Sequence, residues 1–353
     1  MGRRIEYIDA IKGFAIFLVL WGHCIQFFST NNCFDDKTFS FIYSFHMPLF
    51  MMICGFFFTH SLKKDTKTFL IQTIQRFLIP IILCGILLIA FSRFINGTFN
   101  LKELLLNLHT IPFTQFWFIR DVFVFYIMTY FIFKYSKNLN KTFLICSLLI
   151  LLSPNKLWSG WMHIYSMVSS STLYMFPYFW VGIFLYKYYT VYELYKKESL
   201  YISLILFCIL LLFWDGNYTY YQTPIYPLYT YNNGFVITFF NNFPTTLLRY
   251  TIGLSGGFFF WCLFDYNSIT ILKIPSLSSI GKNTLGIYII QTFVIEQLMA
   301  HYIKFQVNTY IYDWIITPII ALSLTYILNY FINILKRNKY ASVLIGNIYT
   351  NKI

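Results

Sequence analysis

The chain predicts an all-α, polytopic membrane protein of about ten transmembrane helices in one bundle. Three observations carry that expectation. Of its 353 residues, 58% are hydrophobic and only 11% charged, far from the balance of a soluble domain. Aromatics reach 22%, with 41 Phe and 30 Tyr, which suits a surface solvated by lipid with amphipathic rings at the interfaces. The apolar residues also fall into runs long enough to span a bilayer, separated by short polar connections.

The runs place helices at about 9–29, 42–59, 77–96, 116–133, 142–153, 172–189, 200–214, 244–264, 283–300 and 314–335. The first is preceded by Arg3 and Arg4 and carries Lys12 at its start and His23 well inside. Those two lie eleven positions apart, about three turns, so they share one helix face roughly 16 Å apart. Ionisable groups in a membrane helix are costly and turn to the bundle interior or a wet cavity. A snorkelling Lys and a hydrogen-bonded core His are the structural alternative. The second helix contains His46, Pro48 and Gly55. Pro48 disturbs the local hydrogen-bond ladder, and Gly55 permits close packing. Descending from the same side that His23 approaches, it brings His46 to similar depth, although His46 could instead cap a neighbouring carbonyl.

The third helix opens with Arg76 and Pro80, after a loop carrying Lys63, Lys64 and Lys67. Those lysines read as ordinary basic-loop residues, whereas Arg76 with Lys12 suits a phosphate-binding mouth. The fourth opens with Trp117, Arg120 and Asp121 at the depth of the two His. The adjacent Arg and Asp either pair within the bundle or contact an acceptor substrate. The fifth and seventh runs are short. Asn241, Asn242 and Pro244 break the chain before the eighth, which holds Arg249. The ninth places Asn283 near its start, Gln291 near mid-membrane and Glu296 beyond, where Arg249 is a candidate partner.

Orientation follows from the loops. With the N-terminus inside, 19 of the 26 Lys and Arg fall on the cytoplasmic side; the exceptions are Lys37, Arg93, Lys102, Arg120, Lys156, Arg249 and Lys304. Both termini are therefore expected in the cytoplasm, and the net charge of +13 reflects topology rather than nucleic-acid binding. The seven scattered Cys give neither a disulfide framework nor zinc spacing, and no metal is expected. The first run has no small-residue cleavage site, which argues against a signal peptide. The expected organisation is one integral-membrane domain over 1–340 and a short cytoplasmic tail over 341–353, without internal repeats. The longest exterior connection, about 215–243, holds Tyr218, Tyr220, Tyr221, Tyr226, Tyr229 and Tyr231 and no Lys or Arg. Such rings stack on sugar faces, though they also settle at membrane interfaces by default.

Five segments, YIDAIKGFAIFLVLWGH, IYSFHMPLF, RFLIP, FWFIRD and GKNTLGIY, carry a resemblance over essentially the whole chain. The sequence resembles the membrane-bound acyltransferase-3 family, especially bacterial O-acetyltransferases of the fucose 4-O-acetylase type. The first two segments are the specific ones. The resemblance implies a multi-pass protein of the bacterial inner membrane, acyl-CoA (acetyl-CoA foremost) as a cytoplasmic donor, and a hydroxyl acceptor, commonly a glycan, near the outer side. Lys12 and His23 match a family motif. Arg76 matches the second of two family Arg three apart, whereas Thr73 stands at the first. Many relatives end the ninth-helix motif with His where this chain has Gln291, which removes that position from the expected catalytic set.

The residue reading agrees with that chemistry. Phosphates held by Lys12 and Arg76, with Asp9 organising the mouth, would leave a pantetheine thioester beside His23. His23 serves as general base or, alternatively, carries the acyl group covalently. His46 or Arg120 stabilises the oxyanion or orients the acceptor, with Asp121 and Trp117 on the same side. The rival classes are a glycan flippase or solute transporter, which inverted repeats would favour, and an assembly subunit.

Overall fold

The computed structural model describes residues 6–97, 115–152, 170–222, 243–268, 275–305 and 311–347. Helix α1, Glu6–Phe28, takes the first apolar run. After a 3-10 turn at Cys33–Asp35, the Asp36 carboxylate accepts from the Phe39 amide at 2.7 Å and starts α2, Lys37–Phe58. That cap satisfies an end amide and moves the helix start from 42 to Lys37. Asp65 does the same for α3, Thr66–Ile95, by accepting from the Thr68 amide at 2.9 Å. The bond from Thr68 also holds the Asp65 carboxyl below its usual range. Helix α3 therefore begins well before the expected 77. A π turn at Ile74–Leu78 interrupts it where Pro80 has no N–H to offer the Arg76 carbonyl.

The chain continues through α4, Trp117–Ser136, α5, Leu139–Leu152, α6, Ser170–Lys187, and the short α7, Tyr189–Leu194. Next come α8, Lys196–Leu211, α9, Phe243–Tyr266, and the short α10, Pro275–Gly281. Helix α11, Thr284–Gln291, runs on as a π segment, Thr292–Met299, into Ala300–Tyr302. Helix α12, Tyr312–Leu335, and the short α13, Lys339–Leu344, follow. Among the described residues there is no strand; an isolated bridge joins Ser29 to Phe305.

Each of the ten expected runs lies on a helix, and the architecture is all-α. Five helices are long and apolar enough to cross a membrane: Tyr7–Phe28, Lys37–Lys63, Thr66–Ile95, Phe243–Tyr266 and Tyr312–Leu335. The others are shorter, or dilute their apolar content with Tyr, Lys and the Arg120–Asp121 pair. Outward faces are apolar, with Leu144, Leu148 and Leu149 exposed on α5 and Ile202, Ile205 and Ile209 on α8. Apolar faces of this kind belong against lipid. Expectations at Arg3, Arg4, Lys102, Lys156, Tyr226, Tyr229, Tyr231, Asn241, Asn242, Lys273 and Lys352 fall outside the described residues.

Helix α2 is the axis of the bundle, buried along almost its whole length. It meets α6 backbone to backbone, because a Cβ on Gly55 would overlap the Phe179 carbonyl and one on Gly182 the Met52 carbonyl. This reciprocal pair bears out the expected close packing at Gly55. Helix α1 lies between α2 and the α10–α12 side, with Gly281 seated on the Asp9 carbonyl. Helix α13 brings Gly346, at φ +68°, onto the Arg76 carbonyl, a conformation and an approach that exclude a side chain. Residues 341–347, expected in a tail, thus pack against α3, and Cys84 donates to the Leu344 carbonyl at 3.4 Å.

Gly182→Val should lose folded protein, because neither backbone at the α2–α6 contact has room to withdraw. Fluorescence-detected size exclusion of a tagged variant in detergent checks this, and an unchanged monodisperse peak would refute the contact.

Candidate active site

A narrow cavity of about 140 Å³ is lined by residues of α1, α2, α3, α4, α10 and α11, together with Lys282. At one end its wall carries Lys12, Arg76 and Lys282; further in it is apolar, with Ile16, Val19, Met47, Phe50, Phe118 and Val122. Lys12, Ile16 and Val19 form one stripe of α1, and the next residue on that stripe is His23. The cavity therefore points from the three cations towards His23, over the roughly 16 Å that eleven helical residues span.

The mouth is built locally. Asp9, one turn before Lys12, meets its ammonium at 2.6 Å, and the ammonium lies 4.9 Å from the centre of the Phe57 ring. Asp9 is nearly buried while Lys12 keeps 19% of its side chain exposed, so the carboxylate orients the cation and leaves it reachable. The Arg76 guanidinium rests 5.6 Å from the Phe77 ring centre. Lys64 does not line the cavity: it donates to the Gln72 amide at 2.6 Å, and burial, with Arg76 nearby, pulls its ammonium below the usual range. Asn283 is held by Asn329, Asn333 and Lys336, which fixes the chain that presents Lys282. Three cations against one carboxylate make this mouth attractive to phosphate.

One turn beyond Val19 and outside the cavity lining, His23 Nδ1 lies 2.8 Å from Gln291 Oε1 and 3.5 Å from Glu296 Oε1. The Gln291 amide nitrogen donates to Thr292 Oγ1 at 3.1 Å, which turns its carbonyl oxygen to the imidazole. Nδ1 is accordingly the protonated nitrogen, and Nε2 keeps its lone pair. Glu296 does not pair with Arg249 as expected; it faces His23. In an α-helix, residues five apart point in different directions, but the π segment closes its turns over five residues and lines Gln291 up with Glu296.

His46 is buried, and its Nδ1 donates to the Ile42 carbonyl of its own helix at 2.7 Å. The capping alternative thus describes one nitrogen and leaves the other available. His23 lies within electrostatic reach of His46. Tyr43 links the two: its ring packs on Gly22, stands 4.7 Å from the His46 ring, and its hydroxyl donates to Gln26 at 3.3 Å. Trp117 lies over this group with its ring 5.3 Å from Tyr220 and 6.3 Å from Tyr221, and Tyr221 stands 5.9 Å from Tyr43. Tyr220 and Tyr221, which follow α8, and Trp117 therefore form one aromatic wall.

Arg120 and Asp121 face inward to each other and to α6. Arg120 reaches Asp121 Oδ1 through Nε at 3.0 Å and Nη2 at 2.8 Å, and Ser171 through Nη2 at 2.9 Å. Ser171 and Thr172 each donate to the Asp121 carboxylate at 2.8 Å. Of the two readings open in the sequence, this geometry is that of an internal clamp between α4 and α6.

Residue-type reasoning missed Gln291, Glu296, Tyr43 and Lys282 as members of the site. Lys282 was legible in GKNTLGIY, beside the cavity-lining Gly281. Glu296 carried no such signal, because its direction depends on a π turn that no residue pattern announces.

A family model described as "Acyltransferase domain" matches residues 5–334, nearly the whole chain. Nodulation protein NolL of Mesorhizobium japonicum is 31% identical over 125 residues, covering 34% of each chain. The chain thus spans about a third of the length of that curated relative. No solved structure matches.

The hydrogen bond from Nδ1 to Gln291 should hold His23 as the Nδ1–H tautomer, and Gln291→Leu should release it to a mixture. Histidine-selective 15N NMR in detergent checks this. An Nε2–H signal for His23 in the unaltered protein would contradict the geometry.

Proposed function

The chain belongs to the acyltransferase family whose model spans it, and from that premise we propose an integral-membrane O-acyltransferase moving an acetyl group from acetyl-CoA to a glycan hydroxyl. The carrying observation is the cavity that joins Lys12, Arg76 and Lys282 to the His23 stripe. Lys12, Arg76 and Lys282 hold the CoA phosphates at the mouth, with Asp9 orienting Lys12. The apolar wall admits the pantetheine arm, whose length suits the separation of mouth and His23. On this reading the cation-rich mouth faces the cytoplasm, ten helices span a bacterial inner membrane, and the tyrosine wall faces the exterior glycan.

At His23, Nε2 takes the proton of the acceptor hydroxyl as its oxygen attacks the thioester carbonyl carbon. The C–S bond breaks, the acetyl group passes to the glycan oxygen, and the imidazolium proton leaves with the CoA thiol. Gln291 and Glu296 keep Nδ1 protonated throughout, and Glu296 stabilises the transient imidazolium. His46, with Nδ1 already donating, offers Nε2 as an acceptor and so orients the attacking hydroxyl. Trp117 gives the sugar a face to stack on, while Arg120 and Asp121 hold α4 beneath it.

Arg76→Ala and Lys12→Ala should each raise the KM for acetyl-CoA about tenfold or more, with a smaller change for the acceptor. Unchanged donor KM in both variants would remove the phosphate assignment.

His23→Gln should insert and bind acetyl-CoA normally yet transfer acetyl groups about 10²–10⁴-fold more slowly. Near-normal turnover by folded variant protein would end the general-base role.

A further inference from the structure

Arg249 lies near the start of α9, is only 1% exposed, and none of its three guanidinium nitrogens has a hydrogen-bond partner among the described residues. A buried cation in an apolar bundle is costly unless something meets it. No described carboxylate meets Arg249: Asp121 is held by Arg120, Ser171 and Thr172, Glu296 faces His23, Asp215 accepts from the Asn217 amide and Asp36 from the Phe39 amide, while Asp313 keeps one buried oxygen unmet. The neighbours of Arg249 are Tyr174, Tyr178 and Tyr250, all within its electrostatic reach. Tyr178 donates to the Arg249 carbonyl at 3.1 Å and Tyr250 to the Leu173 carbonyl at 3.1 Å, so these rings stand fixed around the guanidinium.

This pocket continues into the candidate site. Tyr174 stacks on Tyr220 at 5.4 Å, and Tyr220 touches Trp117 at 5.3 Å. The Tyr220 hydroxyl is likewise buried, with the neighbouring Tyr221 as its polar contact and its ring 4.0 Å away. The unmet guanidinium and the buried Tyr220 hydroxyl thus flank one aromatic wall, at the His23 end of the bundle and away from the cations of the donor mouth.

We infer that Arg249, with Tyr220, is a receptor for an oxyanion, carboxylate or phosphodiester, carried by the glycan acceptor, and so selects anionic glycans. The inference rests on the acyl-transfer reading and names its substrate class. A planar guanidinium matches either oxyanion through paired hydrogen bonds. The aromatic wall from Tyr174 to Trp117 gives neighbouring sugar rings faces to stack on. A neutral glycan would leave the buried guanidinium unmet, which makes the selection strong. Arg249 is a binding residue here and takes no part in the chemical step.

The test uses the full chain in phosphatidylcholine vesicles, acetyl-CoA, and surface glycan from cells lacking this protein. The glycan is supplied untreated and after carbodiimide–borohydride reduction of carboxylates and hydrofluoric-acid cleavage of phosphodiesters. Unaltered protein should prefer the untreated glycan at least tenfold in kcat/KM, and Arg249→Met should abolish the preference. Arg249→Lys should restore part of it. Without glycan, Arg249→Met should be as heat-stable as the unaltered protein or more so, since it removes an unmet buried charge. A preference unchanged in Arg249→Met, or a marked fall in its Tm, would overturn the inference, the latter by revealing an internal counter-ion. Phosphatidylglycerol that raises the Tm of the unaltered protein but not of Arg249→Met, with no glycan preference, would assign the oxyanion to a lipid headgroup instead. If the unaltered protein acetylates neither glycan and releases no CoA, the acyl-transfer reading itself fails.

Discussion

Inside an apolar bundle an ionisable side chain has no water to meet it, so another polar group must, and those meetings fix where the helices stand. Asp9 meets Lys12 within α1 at 2.6 Å. Gln291 and Glu296 meet His23 and tie α11 to α1. Asp121 gathers Arg120, Ser171 and Thr172 and ties α4 to α6. Asp265 accepts from Tyr192 at 2.9 Å, with Lys196 at 3.6 Å, and ties α9 to α7 and α8. The pairings beyond α1 each constrain two or more elements at once. Arg249, unmet among the described residues, stands out for that reason.

The second constraint is backbone geometry. A helix whose turns all closed over four residues would aim Gln291 and Glu296 apart. The π segment at Thr292–Met299 aims both at one imidazole nitrogen. The π turn in α3 likewise coincides with Arg76, the residue whose carbonyl Pro80 cannot serve. Of the three widened turns among the described residues, these two lie where a side chain reaches the cavity or His23, while the third, Tyr312–Ile316, opens α12. Gly346 on the Arg76 carbonyl then closes the space behind the α3 turn.

What the residues made legible follows from which signals are local. Each of the ten hydropathy runs falls on a described helix, and the Lys12–His23 spacing located one wall of the cavity, because both depend on periodicity within one helix. Asp9 was legible for the same reason, three residues before its partner. Helix starts were misplaced at α2 and α3, since Asp36 and Asp65 cap polar first turns that apolar counting passes over. The partner of Glu296 was misjudged because complementary charge suggested Arg249, while a π turn decided the direction. Arg120 and Asp121 looked equally fit for clamp or substrate contact, and their partners on α6 lie fifty residues on in sequence. Long-range pairing has no single-helix signature.

The apolar middle of the cavity bears on the chemistry as much as its ends. A thioester beside a general base reacts with any hydroxyl that reaches it, water included. Ile16, Val19, Met47, Phe50 and Val122 offer water no hydrogen-bonding partner between mouth and His23. Tyr43 and the Trp117–Tyr220–Tyr221 wall narrow the approach from the other side. On the proposed reading, a sugar that stacks on that wall delivers its hydroxyl to a site that bulk water enters poorly. Selectivity for transfer over hydrolysis then comes from the shape of the site. The imidazole, which would activate either nucleophile, does not supply it.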